Sequence, residues 1–255
     1  MSVYFVEKEK RGIVEPLLAG MEDTLILSAL SGYMGDVYTD SDKVPTAVQV
    51  LVADFCFYAG KANKELLLNR PRKSAEFVIM IPEGRDWEVL IEEVFEGRCK
   101  KISRYAIQKE RDIFDREYLE KLVQQANTEF SYVFIGPKEY EQIRSLDWAC
   151  DLCSQFENYE DYAARGLGVC ALYENQVVAG CSSYTVYPEG YEIEIDTRSD
   201  FRRRHLALTC AAKFILEALD RGKYPSWDAH NMGSVALAEK LGYHFKGEYT
   251  AYEVF

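Results

Sequence analysis

One stretch of the chain carries a strand pattern that passes directly into a helix pattern: Tyr191-Glu192-Ile193-Glu194-Ile195-Asp196-Thr197-Arg198-Ser199-Asp200-Phe201-Arg202-Arg203-Arg204-His205-Leu206-Ala207. Apolar and carboxylate residues alternate up to Thr197, as expected of a strand whose two faces differ. From Arg202 to Asp220, apolar side chains recur near helical spacing. The pattern therefore predicts a strand over 191–197, then a loop, then a helix over 202–220.

The loop and the predicted helix start carry four arginines, at positions 198, 202, 203 and 204, in a chain whose net charge is −12. A helix N-terminus presents about four unpaired backbone N–H groups and the positive end of the helix dipole. Such an end binds phosphate, and neighbouring arginines add charge-assisted hydrogen bonds. From these residues alone two interpretations remain open: a phosphate site, or a solvated arginine cluster that offsets nearby carboxylates.

The rest of the second half is also regular. Its other predicted elements are a hairpin of strands over 168–173 and 177–186 with a turn at Glu174-Asn175, a short strand over 224–228, a helix over 233–240 and a closing strand over 249–255. The first half mixes helices and strands, among them a buried strand over 76–82. We predict an α/β domain over 1–130 and a second domain over 131–255.

Composition bounds the class of protein. The chain has 255 residues, of which 48% are hydrophobic, with 30 Lys and Arg against 42 Asp and Glu. This balance is typical of one large or two small globular domains, and the acidic excess disfavours nucleic acid and anionic membranes as partners. No stretch approaches the ~20 apolar residues that span a bilayer. The first residues lack a signal-peptide pattern, so a cytoplasmic protein is expected.

Cysteine and histidine usage argues against a metal site. The seven cysteines are scattered, and the close pair Cys150 and Cys153 has no second pair to complete a zinc site. None of the three histidines lies at ligand spacing. Buried free thiols are therefore expected, and no metal.

From Gly190 onward the chain resembles the GCN5-related N-acetyltransferase (GNAT) superfamily. The motifs that carry the likeness are Glu194-Ile195-Asp196-Thr197, Arg202-x-x-His205-x-Ala207, Pro225-Ser226-Trp227-Asp228-Ala229-His230-Asn231 and Leu237-Ala238-Glu239-Lys240-Leu241-Gly242-Tyr243. Within the superfamily the motifs resemble those of the branch around the zwittermicin A resistance acetyltransferases. The resemblance implies a mixed α+β or α/β fold: a mostly antiparallel sheet with a splayed parallel strand pair, preceded by a smaller α/β domain.

The resemblance also implies that acetyl-CoA binds between the two splayed strands. The first strand would bond the pantetheine arm and thioester through Ile195, Asp196 and Thr197, and Asn231 and Ser234 would contact that region from beyond the second strand. The implied pyrophosphate site consists of Arg202, Arg203, Arg204, His205, Leu206, Ala207 and Leu208.

Two positions depart from the family's motifs. His205 stands in place of the central glycine, which lets phosphate approach the backbone closely. Ala238 stands where many members carry the tyrosine that protonates the departing thiolate. Tyr243, Tyr249 and Tyr252 are candidate replacements, and solvent is an alternative.

Acetyl transfer to an amine also needs a group that accepts a proton, directly or through water. Glu192, Glu194 and Asp196 share one face of the predicted strand, where like charges raise at least one pKa. Glu194 is the preferred general base, with Glu192 and Asn231 as further catalytic candidates. The alternative is that this face is merely exposed to solvent.

Three functions remain in view. The first is an acetyl-CoA-dependent N-acetyltransferase that acetylates the primary amine of a small molecule by direct attack in a ternary complex. Residues 1–130 would then shape the acceptor site, and the protein would act as a monomer or homodimer. The second, motivated by His205 and Ala238, is a non-catalytic CoA-binding or sensor protein. The third is an aminoacyl-type transferase in which residues 1–130 repeat the acetyltransferase fold.

Overall fold

The computed structural model describes residues 3–70 and 77–255. The chain forms two compact units, one of Met1–Arg104 with Glu248–Phe255 and the other of Tyr105–Gly247. These limits differ from the predicted boundary at residue 130, which stays a prediction about functional domains. No helix in the described ranges is long and apolar enough to cross a membrane.

The first unit is built on one sheet. Its elements are β1 (Tyr4–Phe5), a 3-10 helix (Lys8–Leu17), α1 (Thr24–Leu30), β2 (Asp36–Thr39), β3 (Ala47–Val52), β4 (Phe55–Gly60), α2 (Lys64–Leu68), β5 (Val78–Pro82), α3 (Arg85–Val94), most of β6 (Cys99–Ile107) and the end of β13 (Phe245–Val254). The strand order is β1-β2-β3-β4-β5-β13-β6. The predicted strand over 76–82 is confirmed from Val78, and Glu76 lies outside the described residues. In the core of the first unit, Trp87 of α3 belongs to the same buried cluster as Tyr58 and Tyr252.

The second unit carries the motifs found in the sequence. Its elements are α4 (Arg116–Gln124), β7 (Ser131–Phe134), α5 (Pro137–Arg144), a 3-10 turn (Cys150–Leu152), α6 (Tyr159–Arg165), β8 (Gly168–Tyr173), β9 (Gln176–Tyr187), β10 (Gly190–Thr197), a 3-10 turn (Ser199–Phe201), α7 (Leu206–Asp220), β11 (Tyr224–Ser226), β12 (Asp228–Ala229) and α8 (Met232–Lys240). A sheet of order β11-β10-β9-β8-β7 is antiparallel except for the parallel pair β10–β11. The predicted GNAT fold is confirmed.

Local sequence signals account for much of this sheet. Glu174 and Asn175 both have positive φ, which gives the two-residue turn that joins β8 to β9. Apolar residues along α7 pack on the sheet, and the ring of Phe214 lies 5.7 Å from that of Tyr191 on β10. The long helix is thereby held against the strand that carries the alternating carboxylates.

Each unit repeats one order of elements. β2, β3 and β4 are antiparallel neighbours, and after α2 the chain forms β5 parallel to β4. β8, β9 and β10 are likewise antiparallel, and after α7 the chain forms β11 parallel to β10. The two crossover helices differ in length, with five residues in α2 and 15 in α7. The first unit thus has the order of strands that an internal repeat would produce.

Three predicted elements need correction. The single strand predicted over 224–228 is two strands, because β11 ends at Ser226 beside β10 and β12 begins at Asp228 and pairs with β6. The helix predicted from Arg202 begins at Leu206, because Arg203 and His205 have φ of 62°, which is incompatible with a continuous right-handed helix. The closing strand predicted for the second domain starts earlier, at Phe245, and its residues Tyr252–Val254 pair with β5 of the first unit.

Gly190 allows β10 and β11 to approach each other. A Cβ at this position would lie 2.0 Å from the carbonyl oxygen of Tyr224 and 2.6 Å from the hydroxyl oxygen of Tyr187. We expect Gly190→Ala to lower the free energy of unfolding by about 1–3 kcal/mol, since the backbone of β11 must move. Urea denaturation measures the loss. Gly12→Ala is the control, because its Cβ would only touch the Glu15 carboxylate at 3.9 Å; equal midpoints for the two variants would contradict the prediction.

Candidate active site

β10 and β11 separate shortly after they begin to pair. They are parallel neighbours over Gly190–Glu192 and Tyr224–Ser226 only. β10 then continues to Thr197, whereas the chain beyond β11 forms β12, which pairs with the end of β6. Among the described strands, none pairs with that edge of Ile193–Thr197. This edge therefore offers backbone N–H and C=O groups to a bound ligand.

The loop after β10 leads to the N-terminus of α7. His205 occupies the N-cap position in the left-handed conformation and makes no side-chain capping bond. By helix geometry the backbone N–H groups of Leu206, Ala207 and Leu208 have no acceptor within the helix. The predicted phosphate residues thus divide into a loop, Arg202–His205, and the first turn of the helix.

The four arginines have two different environments. Arg198 and Arg204 both lie over the buried Phe201 ring, at 4.3 and 4.9 Å from its centre. Arg198 also pairs with Asp200 at 2.7 Å. Arg202, Arg203 and Arg204 are exposed; Arg202 donates a long hydrogen bond of 3.4 Å to the Thr197 carbonyl, and Arg204 lies 3.9 Å from Glu129. Among the described residues Arg202 and Arg203 form no ion pair and no ring contact, so their charges remain available to an anion.

His205 has the backbone conformation that glycine favours. Its φ of 62° explains why the family's motif has glycine at this point, and histidine tolerates the region better than most residues. We expect His205→Gly to keep CoA affinity and thermal stability near those of the wild type. A β-branched residue is strained there, so His205→Val should destabilise the protein by about 1–2 kcal/mol and weaken CoA binding. Thermal denaturation measures the stability of the two variants, and calorimetry measures their CoA affinity. Equal stability and equal affinity in both variants would show that the backbone at His205 is not strained.

Asp196 is a carboxyl group of β10 with altered acidity. Burial raises its pKa to about 6; the charge of Asp151 adds to the rise, and Arg202 opposes it. Asp151 belongs to the 3-10 turn Cys150–Leu152, which packs on β9 over Gly180, the residue opposite Asp196. A pKa near 6 suits proton exchange near neutral pH. From the sequence, a raised pKa is expected on this face from the charges of Glu192 and Glu194, whereas burial and the distant Asp151, which no sequence pattern indicates, raise that of Asp196.

Glu192 lies in a different environment from Asp196 although the two share a face. It is only 4% exposed, whereas Glu194 and Asp196 are half-buried. Burial raises the pKa of Tyr224 to about 12 and those of Tyr187 and Tyr243 well above their usual value, and the Glu192 charge adds to each rise. Glu192 is therefore surrounded by tyrosines that keep their protons.

Asn231 and Ser234 hold the start of α8. The Asn231 side-chain oxygen accepts from the Ser234 backbone N–H at 3.0 Å, and the Trp227 indole N–H donates to the Ser234 hydroxyl at 3.0 Å. Asn231 is exposed. The contacts predicted from both residues to the pantetheine arm stay predictions, as do the other assigned roles.

The three candidate tyrosines belong to different units. Tyr243 is buried in the second unit, where its hydroxyl donates to the carbonyl of Pro225 on β11 at 2.6 Å. Tyr249 and Tyr252 fall in the first unit, and the Tyr252 hydroxyl donates to Glu92 at 2.5 Å. Tyr243 is therefore the candidate that lies beside the splayed pair, at the second of its strands.

The cysteines and the described acidic and histidine residues hold no metal site. All seven cysteines are free, and no group of His, Cys, Asp and Glu in the described ranges could hold a metal ion. Burial raises the pKa of every one of these thiols. They are consequently poor nucleophiles.

A surface pocket of about 310 Å³ lies at the other end of β10. It is lined by Arg111, Pro188, Glu189, Leu219, Gly222, Lys223 and Tyr224. None of the predicted site residues lines it. It lies where β10 begins, whereas the open edge and the arginine loop lie where β10 ends.

A mostly antiparallel sheet with one parallel pair that opens at its end is the fold of the GNAT class, and the chain belongs to the GNAT acetyltransferase family, whose sequence profile matches residues 15–252. It is similar to a GCN5-related N-acetyltransferase-like protein from Streptococcus suis 89/1591, with 39% identity and a TM-score of 0.91 over 97% of this chain and 99% of that one. It is also 29% identical to the uncharacterized N-acetyltransferase YdfB of Bacillus subtilis (strain 168), over 66% of this chain and 73% of that protein.

A more distant likeness concerns the fold alone. A tandem GNAT protein from the clavulanic acid biosynthesis pathway aligns with a TM-score of 0.55 at 12% identity, over 99% of this chain and 98% of that one. The narrower likeness to the zwittermicin A resistance branch stays a prediction.

Proposed function

We propose that the protein is an acetyl-CoA-dependent N-acetyltransferase that acetylates the primary amine of a small molecule. One observation carries the proposal: the open edge of Ile193–Thr197 runs into a loop at the start of α7 that holds the exposed Arg202 and Arg203. A ligand with a peptide-like arm followed by a pyrophosphate matches this arrangement, in which an open strand edge leads to arginines and a helix N-terminus. Backbone groups of the strand would bond the arm, and Arg202, Arg203 and the first turn of α7 would bond the phosphates.

The chemistry is direct attack. The neutral amine nitrogen bonds to the thioester carbonyl carbon, the C–S bond breaks with its electrons on sulfur, and the amide nitrogen loses one proton. Direct attack is supported by the cysteines, because burial raises the pKa of each and none is activated as the nucleophile of an acyl-enzyme.

Three carboxylates are candidates to accept the amine proton. Glu194 remains the preferred base from sequence, because it precedes the proposed thioester contacts on β10. Asp196 adds a pKa of about 6, and Glu192 adds a buried position at the point where the strands part. Single variants of the three, compared by their pH–rate profiles, would assign the role.

Calorimetry with acetyl-CoA and a thiol-release assay over a panel of primary amines test the proposal. We expect one molecule of acetyl-CoA per chain, because the first unit repeats the order of strands but its α2 carries no comparable arginine loop among the described residues. CoA release with at least one amine supports the transferase. Binding without release on any amine would favour the sensor, which His205 and Ala238 motivate, and absence of binding would refute both.

A further inference from the structure

Thr185 of β9 carries a buried hydroxyl group opposite Glu192 of β10. Thr185 is fully buried, and its hydroxyl oxygen has no hydrogen-bond partner among the described residues. Buried polar groups in proteins are almost always bonded to protein or to ordered water. This hydroxyl therefore requires a partner other than the protein groups around it.

The position of Thr185 identifies its neighbour. Thr185 is the residue directly opposite Glu192 in the antiparallel pair β9–β10. Side chains so placed share one face and have Cβ atoms about 4.5–5.5 Å apart. The register shifts immediately afterwards, between Glu192 and Ile193, and Glu192 is also the last residue paired with β11. A buried hydroxyl and a buried carboxylate thus meet where the two parallel strands part.

The size of a partner is limited by burial. Thr185 is 0% exposed and Glu192 is 4% exposed, so a substrate amine cannot reach the hydroxyl directly. A water molecule can occupy a buried polar site when it finds two to four partners there. Two hydrogen bonds of ordinary length through one water span the distance between opposite side chains.

We propose that Thr185 is a positioning residue, whose hydroxyl shares one internal water with the Glu192 carboxylate and thereby orients that carboxylate toward the splayed strands. The inference rests on the proposed function for its catalytic meaning. In that reaction the attacking amine would give one proton to the water as the water gives one to Glu192, so the net transfer is from nitrogen to carboxylate. The neighbouring titratable groups, Tyr187 of β9, Tyr224 of β11 and Tyr243 after α8, keep their protons and do not compete as bases.

Crystal structures of the full chain and of Thr185→Val test the water site without any substrate. We expect, at a resolution that shows ordered water, one water within hydrogen-bonding distance of Thr185 Oγ1 and a Glu192 oxygen, and none there in the isosteric variant. A Thr185 hydroxyl bonded to a protein group, with no water between the two side chains, would overturn the proposal whatever the enzyme's activity.

Kinetics test the positioning role. With any amine that releases CoA, Thr185→Val should lower kcat/KM by about tenfold or more, which is a part of the 10²–10⁴-fold that a positioned base supplies, and move the acidic limb of the pH profile to higher pH. Thr185→Ser should restore both. Thr39→Val is the control, since Thr39 is also fully buried but its hydroxyl donates to the Ser41 carbonyl at 2.9 Å. The same pH profile in wild type and Thr185→Val would overturn the role, whereas failure of every amine would refute the proposed function and leave the crystal structures to decide the water site.

Discussion

Replacing Arg202 and Arg203 together by alanine is expected to weaken CoA binding by about 3–6 kcal/mol, from two charged hydrogen bonds of about 1.5–3 kcal/mol each. That is a loss of more than about 100-fold in affinity. These two exposed arginines have no ion pair or ring contact among the described residues, whereas Arg198 and Arg204 lie over the Phe201 ring. Calorimetry with CoA measures the loss directly, and the affinity of the wild type should fall with added salt.

Two comparisons sharpen this result. Arg111→Ala with Arg144→Ala removes the same charge from exposed positions of the second unit outside the loop, and should cost little. Dephospho-CoA lacks the 3′-phosphate but keeps the pyrophosphate, so the loop variant should lose as much affinity for it as for CoA. Unchanged affinity in the loop variant would place the phosphate site elsewhere.

Replacing Asp196 by asparagine is expected to stabilise the protein at pH 8. The folded pKa of about 6 lies above the usual aspartate value of 3.8, so the folded state prefers the protonated carboxyl. The wild type therefore loses stability as pH rises from about 4 through about 6, and asparagine avoids that loss. Two pKa units correspond to about 3 kcal/mol at most, and partial exposure to solvent reduces the expected gain to about 1–2 kcal/mol.

Urea denaturation of wild type and Asp196→Asn at pH 4 and pH 8 measures this difference, which should be near zero at the lower pH. Asp200→Asn is the control with the opposite sign, because hydrogen bonds from Arg198 lower the pKa of Asp200. In Asp151→Asn the loss of stability with rising pH should occur at lower pH than in the wild type, since the Asp151 charge helps to raise the pKa of Asp196. A variant Asp196→Asn no more stable at pH 8 than the wild type would show that the carboxylate is solvated.

Short-range patterns determined which segments became strands and helices. The alternation before Thr197, the hairpin turn at Glu174-Asn175 and the apolar spacing along α7 each specify their element through residues close in sequence. The family motifs lie on these same elements, so the fold and the neighbourhood of the site were predictable. Side-chain periodicity and turn conformation are local properties that a sequence displays directly.

Contacts between distant residues decided the rest. The helix starts at Leu206 because the loop before it turns through two left-handed residues, and Phe201 of that loop is buried. Asp196 acquires its pKa from burial and from Asp151, and Thr185 meets Glu192 only through strand register. The end of β13 belongs to the sheet of the first unit. The sequence by itself determined the elements and the class of fold, whereas burial, register and long-range electrostatics, which depend on how the chain packs, were set by the tertiary structure alone.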